Sequence, residues 1–224
     1  MTEIEPTDIP RRLPRGSHGL DRELVAASQR ARLLEAVGRA VADRGYAAAT
    51  IDEIVRHAGV SKKTFYEHFR DKEDCFIAAY EAASDELYER VRVAQRDPSV
   101  GWLERTRAGV RAYLRWLAGD PALARVFLIE VAAAGPRAAE MRERARDRYA
   151  DGLRRLQAGA RDEIEDLPRP PVEVFHAVVA AVDDIVSRHI RQSGAEDLPE
   201  LEPVLVFVQL SLLAGPEVAA RESA

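Results

Sequence analysis

The sequence is short of several kinds of residue, and each shortage excludes a class of protein. It has one cysteine, Cys75, so it forms no internal disulfide, and with no CxxC pair it offers no thiolate zinc site. Its most apolar stretches, 126–134 and 204–214, are interrupted by Glu130 and Gln209 and fall short of the roughly 18 residues that a membrane-spanning helix needs. Its first residues lack the apolar run of a secretory signal. We therefore expect a cytoplasmic protein that does not enter a membrane.

The composition is that of a folded globular protein. Of 224 residues, 46% are hydrophobic, 32% are charged and 6% are aromatic, which excludes a disordered or collagen-like chain. At about 150 residues per domain, this length predicts one elaborate domain or a small domain attached to a larger one.

The charge is distributed unevenly along the chain. Residues 11–70 hold twelve basic and seven acidic residues, giving +5, whereas residues 71–224 hold 21 basic and 28 acidic residues, giving −7. All three lysines, Lys62, Lys63 and Lys72, lie close together in a chain that otherwise uses arginine. The sequence therefore joins a basic amino-terminal part to an acidic body.

The hydrophobic pattern predicts an all-α fold of about nine helices. Apolar residues recur at the i, i+3, i+4, i+7 spacing of helices, and no sustained alternation typical of strands is present. Glycine, proline and capping residues set the expected bounds, which are 23–44, 51–58, 62–69, 72 to about 96, 102–117, 121–134, 136 to about 166, 172–192 and 200–214. Thr50 and Glu53 form a capping box, Ser61 and Asp71 can cap the next two helices, and Asp120-Pro121 can open the sixth.

Residues 51–69 have the pattern of a helix-turn-helix unit. Two short helices flank Gly59, which we expect to adopt a positive φ, and apolar residues fall on one side of both helices. Lys62, Lys63 and Thr64 occupy the first turn of the second helix, where side chains can enter the major groove of DNA. An ordinary helical hairpin with solvated lysines is the alternative interpretation of this pattern.

The run from residue 45 to residue 76, GYAAATIDEIVRHAGVSKKTFYEHFRDKEDCF, resembles the DNA-binding domain of the TetR family of transcriptional regulators. The resemblance lies in the threonine before the first reader helix, the AGVS turn, the FYEHF cluster and the DKE that follows. Val55 and Cys75 depart from the alanine and leucine common in the family. Both are expected to be core positions, and we expect Cys75 to be a buried hydrophobe and not a redox sensor.

The resemblance implies contacts to DNA at matching positions. Ser61, Lys62, Lys63 and Thr64 would lie on the recognition helix, Tyr66 and His68 would contact phosphate, and Thr50 and Lys72 would hold the DNA backbone at two helix N-termini. It also implies three regions: a flexible arm over 1–20, the helix-turn-helix domain over 21–70, and a helical effector-binding and dimerisation domain over 71–224. Arg11, Arg12 and Arg15 of the arm either reach the minor groove or belong to an inert tail.

A homodimer is expected because one reader helix makes too few contacts for specific binding. Two reader helices must lie about 34 Å apart, one turn of DNA, to read a palindromic operator. The predicted interface is the apolar stripes of the last two helices, which either form this interface, as in the family, or pack within their own protomer. The stripes contain Phe175, Val178, Val179, Val182, Ile185, Val186, His189, Val204, Leu205, Val208 and Leu212.

The helices between the reader and these stripes are expected to hold a small-molecule effector. The candidate cavity residues, each of which could equally belong to the core, are Tyr80, Trp102, Tyr113, Trp116, Phe127, Glu130, Met141 and Tyr149. Glu130 lies on an apolar helix, so its carboxylate needs a partner: either an arginine or the effector. His189 is interpreted as an interface histidine in preference to a ligand contact.

The sequence lacks the motifs of common enzymes. It contains no GxGxxG, GxxxxGK, HExxH or GxSxG, and its one ExxH is too little for a di-iron site. We therefore predict no catalytic residue, no metal and no cofactor. The predicted function is a ligand-responsive regulator, in the first instance a repressor released by its effector. The alternative is an all-helical adaptor whose basic amino-terminal domain binds protein or lipid.

Overall fold

The computed structural model describes residues 22–164 and 167–218, and within them the chain is helical with no strand. The arm over 1–20, with Arg11, Arg12 and Arg15, lies outside the described residues. Nine α-helices occupy the described part. They are α1 (Arg22–Arg44), α2 (Ile51–Ala58), α3 (Lys62–His68), α4 (Lys72–Ala94), α5 (Trp102–Gly119), α6 (Pro121–Leu128), α7 (Pro136–Gly159), α8 (Val172–Ser193) and α9 (Glu202–Leu213).

The chain divides into two compact units at Tyr80 and Glu81. The division falls inside α4, later than the boundary at residue 70 that we predicted. The first turns of α4 belong to the amino-terminal unit because the Phe76 ring packs edge-on against Tyr46 at 5.0 Å and the Cys75 thiol donates to the Leu33 carbonyl at 3.7 Å.

The amino-terminal unit packs α1, α2 and α3 around one small core. Leu33, Val37 and Val41 lie one helical turn apart on α1 and are fully buried, as are Ile54 of α2 and Phe65 of α3. Gly45 ends α1 with a φ of 76°, a conformation that glycine adopts without the steric cost of a Cβ atom.

The body packs α5, α7, α8 and α9 against one another. Trp102, Leu114 and Leu117 of α5 and Leu205 and Leu210 of α9 are almost completely buried. Ion pairs reinforce the packing: Arg111 of α5 binds Glu202 of α9 through two hydrogen bonds of 3.0 and 2.9 Å, and Arg142 and Arg146 of α7 share Asp183 of α8. No helix in the described part is long and apolar enough to span a bilayer.

Two helices end earlier than expected, and one begins later. The sixth helix stops at Leu128, not Ala134, and a 3-10 turn over Glu130–Ala133 follows, because the chain tightens to i→i+3 hydrogen bonds before Gly135 and Pro136. The seventh stops at Gly159, not near residue 166, and a 3-10 turn over Ala160–Asp162 ends it. The ninth begins at Glu202 after a 3-10 turn over Leu198–Leu201.

The second of these ends places Glu163 where it caps another helix. Gly101, the residue before α5, has no side chain to satisfy the free amides of that helix. The Glu163 carboxylate instead accepts from the Trp102 amide at 2.7 Å and pairs with Arg105, whose guanidinium also binds the Val100 carbonyl. The hydrogen bond from Arg105, and after it that from Trp102, lowers the pKa of Glu163. The loop after α7 is therefore fastened to the start of α5.

We predict that Glu163→Gln lowers the free energy of unfolding at neutral pH by about 1 kcal/mol, the usual cost of losing a helix N-cap. Because the folded pKa of Glu163 lies below its ordinary value of 4.5, its contribution is complete above pH 4.5 and is lost as the pH falls through the folded pKa. Urea unfolding midpoints measured over this range should converge for the two proteins at low pH. Glu143→Gln, which removes a surface pair with Arg146, is the control. A difference from the wild type that does not depend on pH would contradict the assignment.

Candidate nucleic-acid interface and ligand cavities

The α2–α3 turn is built as the sequence predicts. Gly59 ends α2 in the left-handed region, with φ 63° and ψ 39°, and the amide of Val60 returns to the Val55 carbonyl at 3.1 Å. Val55, Ala58 and Phe65 are buried behind the turn. A β-carbon at Gly59 would be strained by its positive φ. The turn thus fixes the direction in which α3 leaves α2.

Side-chain caps begin both helices. The Thr50 hydroxyl accepts from the Glu53 amide at 3.3 Å, and the Glu53 carboxylate accepts from the Thr50 amide at 3.0 Å, which confirms the capping box. The amide and the hydroxyl of Thr50 both donate to the Glu53 carboxylate, and these two hydrogen bonds lower the pKa of Glu53. The Ser61 hydroxyl accepts from the Thr64 amide at 3.0 Å and lies 3.0 Å from the Thr64 hydroxyl. Thr50, Ser61 and Thr64 therefore already serve the local fold.

Arg32 of α1 also holds the turn, and the sequence analysis did not identify it. Its Nη1 donates to the Ala58 carbonyl at 3.1 Å, at the carboxyl end of α2. A cation at this end of a helix opposes the helix dipole favourably. Arg32 stands at an ordinary position of an arginine-rich helix, so no local motif distinguishes it.

The two reader-helix lysines differ in their partners. Lys62 Nζ lies 2.7 Å from Asp52 Oδ1 of α2, and this hydrogen bond raises the pKa of Lys62. Lys63 is 88% exposed, and its nearest carboxylate, Glu67, is 3.9 Å away. Lys63 is thus the less constrained cation of the pair. The sequence does not indicate this contact, because pairing across two helices has no signal in it.

Tyr66 and His68 lie further along α3. Tyr66 is 57% exposed, and its ring meets Phe65 edge-on at 5.4 Å. His68 is half-buried with Nε2 3.5 Å from the Gln29 side-chain oxygen, and burial lowers its pKa. This burial favours the neutral imidazole of His68 in the protein without DNA.

Lys72 points into the amino-terminal unit. Its Nζ donates to the carbonyls of Tyr46 and Ala49 at 2.6 and 2.8 Å and lies 4.4 Å from the Tyr46 ring centroid, and burial lowers its pKa. The ammonium group fastens the loop that precedes Thr50. Asp71 accepts from the Asp74 amide at 2.7 Å, as expected of a cap on α4. Cys75 is buried in the core, and this burial raises the pKa of its thiol to about 12. The thiol therefore stays protonated and packs as a small hydrophobic side chain.

The candidate effector residues occupy several environments. Tyr80 is the last residue of the amino-terminal unit. In the body, Trp102 is a core residue with 1% exposure, Tyr113 is half-buried, and the Trp116 and Phe127 rings pack edge-on at 5.7 Å. Met141 and Tyr149 line two different cavities.

Glu130 is half-buried beside an arginine. Its carboxylate lies 3.7 Å from the Arg125 guanidinium, a distance that agrees with the structural pairing considered above. The residue also lies in the 3-10 turn after α6, not on the apolar α-helix that the sequence predicted.

Two cavities lie between α4 and α7 in the body. The first, of about 280 Å³, is bounded by Glu81 and Asp85 on α4 and by Met141, Arg144 and Arg148 on α7. The second, of about 340 Å³, lies nearer the carboxyl ends of both helices. Tyr88 and Tyr149, whose rings meet edge-on at 5.4 Å, both line this second cavity.

The predicted interface residues separate into two groups. Phe175, Val178, Val186 and Leu205 are buried inside their own protomer. Those with part of their surface exposed are Val179, Val182, Ile185, His189, Val204, Val208 and Leu212. Phe207, which the sequence analysis did not single out, is 43% exposed beside Val204 and Leu212 on α9. Because α9 is apolar on all sides, the sequence did not distinguish its outer face from its core face.

The segment that contains the α2–α3 hairpin is similar in sequence to known bacterial regulators. A profile of the bacterial regulatory proteins of the tetR family matches residues 33–79. The HTH-type transcriptional activator FasR of Mycolicibacterium smegmatis is 36% identical over 107 residues, 48% of each chain. The fatty acid metabolism regulator protein of Bacillus subtilis is 26% identical over 99 residues, 44% of this chain and 50% of the relative. The chain spans about half the length of these curated relatives.

Solved structures share the fold over most of the chain. The fatty acid degradation regulator FadR of Bacillus halodurans superposes with a TM-score of 0.73 at 20% identity, covering 82% of this chain and 94% of that one. The FadR of Bacillus subtilis in complex with stearoyl-CoA gives 0.71 at 21%, covering 83% and 98%. Residues 33–79, which contain the capped hairpin, therefore match the tetR family of bacterial regulatory proteins, and the chain shares its fold with these two regulators.

Proposed function

We propose that this protein is a ligand-responsive DNA-binding transcriptional regulator, acting in the cytoplasm as a homodimer on a palindromic operator. The observation that carries the proposal is the α2–α3 hairpin, whose turn and caps present Lys62, Lys63 and Thr64 together at the start of α3. This is the end of a recognition helix that enters the major groove, and a helix N-terminus also favours phosphate. The match of residues 33–79 to the tetR profile supports this interpretation.

The contacts to DNA follow from the surroundings of each residue. We propose that Lys63 and Tyr66, both exposed, reach the DNA directly, and that Lys62 does so after leaving Asp52. Ser61, Thr64, Thr50 and His68 contribute from the helix ends and flanks. For Lys72 we propose a positioning role, since its ammonium group is already satisfied by two carbonyls.

Selection of bound sequences from a random DNA pool tests the proposal and separates it from the adaptor hypothesis. A dimeric reader should enrich an inverted repeat, and the logarithm of its affinity should fall linearly with the logarithm of salt concentration as phosphate contacts release counterions. An adaptor that binds protein or lipid should enrich no sequence.

The outer face of α9 supports the homodimer. Val204, Phe207 and Leu212 are exposed large apolar side chains on one side of a helix whose other side is core. A helix that is apolar on all sides is normally covered on all sides. We propose that a second copy of the chain covers this face through a two-fold axis, with the exposed part of α8.

The relatives suggest the chemical class of the effector, and they leave repression and activation as alternative modes of regulation. FadR of Bacillus subtilis was crystallised with stearoyl-CoA, and we propose that the effector here is also a fatty-acyl compound. We propose repression released by this effector. FasR is described as an activator, which makes activation the second candidate. Transcription from an operator-bearing promoter, measured with and without protein, decides between them.

The side chains at the start of α3 can be tested one at a time. Lys62→Ala and Lys63→Ala should weaken binding to all DNA sequences and reduce the salt slope by about 1 each, whereas Thr64→Ala should relax base preference at one operator position. Fluorescence anisotropy of selected operators at several salt concentrations measures both quantities. Arg154→Ala, on the exposed surface of α7, is the control. Unaltered operator affinity in all three variants would exclude α3 as the reader.

The Asp52 carboxylate should compete with DNA phosphate for Lys62. Asp52→Asn should raise the affinity for operator and random DNA alike, by about fivefold, the effect expected for one charge pair in water at contact distance. The same anisotropy assay measures this change. Glu67→Gln, which removes the more distant partner of Lys63, should have the smaller effect. If Asp52→Asn leaves both affinities unchanged, Lys62 does not meet DNA.

Phe207 on the outer face of α9 allows a test of the proposed dimer. Phe207→Glu should place a charge in the centre of the interface and weaken dimerisation by at least about tenfold, with a parallel loss of operator affinity. Sedimentation equilibrium measures the first effect. Val93→Glu changes an equally exposed apolar residue on α4 and should leave the dimer intact. A Phe207→Glu protein that remains dimeric would place the interface elsewhere.

A further inference from the structure

The second of the two cavities between α4 and α7 has an apolar wall. Val91 of α4 and Leu153 and Leu156 of α7 line it together with Tyr88 and Tyr149. Its volume of about 340 Å³ lies at the lower end of the range of about 300–1,000 Å³ typical of small-molecule sites. Such a space accommodates a head group and the first part of an alkyl chain.

Three arginines also line this cavity and leave a surplus of positive charge. Arg92 donates two hydrogen bonds to Glu89, at 2.6 and 2.5 Å, and Arg96 lies 3.8 Å from the same carboxylate. Arg155 donates to the neutral Tyr88 hydroxyl at 2.9 Å. Three guanidinium groups thus face one carboxylate in this cluster, and guanidinium binds carboxylate and phosphate with matched geometry.

The neighbouring cavity lacks this combination. There Arg144 and Arg148 are opposed by Glu81 and Asp85, so the charges balance. Met141 is its one large apolar residue. An anion with an apolar tail would find neither surplus charge nor an extended apolar wall in that space.

We propose that the second cavity, formed by α4 and α7, is the effector site and that it binds an anionic amphiphile. An acyl or alkyl chain lies against Val91, Leu153 and Leu156, and a carboxylate or phosphate head is held by Arg92, Arg96 and Arg155. The inference rests on the proposed function, in which a fatty-acyl effector controls DNA binding, and it assigns the residues that recognise both ends of that effector.

Gly152 contributes by its size. A β-carbon at this position would meet the Tyr88 ring at 3.4 Å, and both residues line the cavity. Alanine would be tolerated at that distance. A leucine side chain would extend into the space that the alkyl chain requires, so Gly152→Leu blocks the cavity without changing any charge.

The site also supplies a physical route to regulation. Arg92 lies in the last turn of α4, and Arg96 is the second residue after this helix, whose first turns belong to the amino-terminal unit. Binding of an anion draws both arginines away from Glu89 and changes the interactions that hold the end of α4. If the two states of the protein differ in this contact, the ligand shifts their populations, and operator DNA must change ligand affinity by the same factor.

Calorimetry on the full chain tests the inference with five probes that share or lack each feature. Decanoyl-CoA, decyl phosphate and decanoate carry a chain and an anionic head, monodecanoylglycerol carries the same chain without charge, and coenzyme A carries the head without the chain. We expect the three anionic amphiphiles to bind at least about tenfold more tightly than the neutral ester or coenzyme A. The order among the three distinguishes a phosphate head from a carboxylate head.

Variants locate the site. Arg155→Gln and Arg96→Gln should each weaken the anionic amphiphiles by about tenfold, the effect of one lost charge-assisted hydrogen bond, and leave monodecanoylglycerol unchanged. Gly152→Leu should abolish binding of all chain-bearing probes. Arg144→Gln, in the neighbouring cavity, is the matched control and should bind as the wild type does. Operator affinity without ligand should be unchanged in Arg144→Gln.

The outcomes separate this inference from the proposed function. Loss of binding in Arg144→Gln but not in Arg155→Gln, or equal binding of charged and neutral probes, would overturn the assignment of the cavity. Failure of every amphiphile to bind a protein that still selects an operator would also overturn it while the regulator remains. A protein that binds the amphiphiles as predicted but selects no DNA would retain the cavity and refute the proposed function.

Discussion

The orientation of α3 depends on the turn at Gly59, and the DNA recognition that we propose depends on that orientation. A reader helix of seven residues has too few internal hydrogen bonds to be stable alone, so its neighbours must fix both of its ends. Ser61 caps its start, Phe65 anchors it in the core, and Arg32 binds the last turn of the preceding helix. These contacts use little surface, which leaves the outward side of α3 available for a partner.

Several polar side chains near the hairpin already bind the protein's own backbone. Thr50, Ser61 and Lys72 satisfy backbone groups that would otherwise lack partners at helix ends and in the loop before α2. An unsatisfied buried amide or carbonyl costs more than one hydrogen bond to solvent returns, so these side chains are committed before any ligand arrives. The DNA contacts that we propose therefore rest on residues that the fold does not need, above all Lys63 and Tyr66.

Local patterns predicted the amino-terminal unit well and the body less well. Caps and glycines act through neighbours in sequence, so the capping box at Thr50, the left-handed Gly59 and the N-cap at Asp120 were readable and are confirmed. The early ends of α6 and α7 were not readable, because the residues after Leu128 and Gly159 continue the helical pattern although the chain tightens into 3-10 turns there. Pairing across helices, as in Asp52 with Lys62, depends on the fold and has no sequence signal.

The body also shows how charge distinguishes sites that apolar composition does not. Aromatic residues such as Trp102 were candidates for a cavity wall, yet Trp102 is core, since a large ring satisfies either role. Arginines are more informative once their partners are known. On α7, Arg142 and Arg146 share Asp183, and Arg148 is matched by Asp85, whereas Arg155 meets only a neutral hydroxyl among its hydrogen-bond partners. A helix that pairs most of its cations internally and leaves surplus charge beside an apolar cavity has placed that charge where an anionic ligand with an apolar tail can use it.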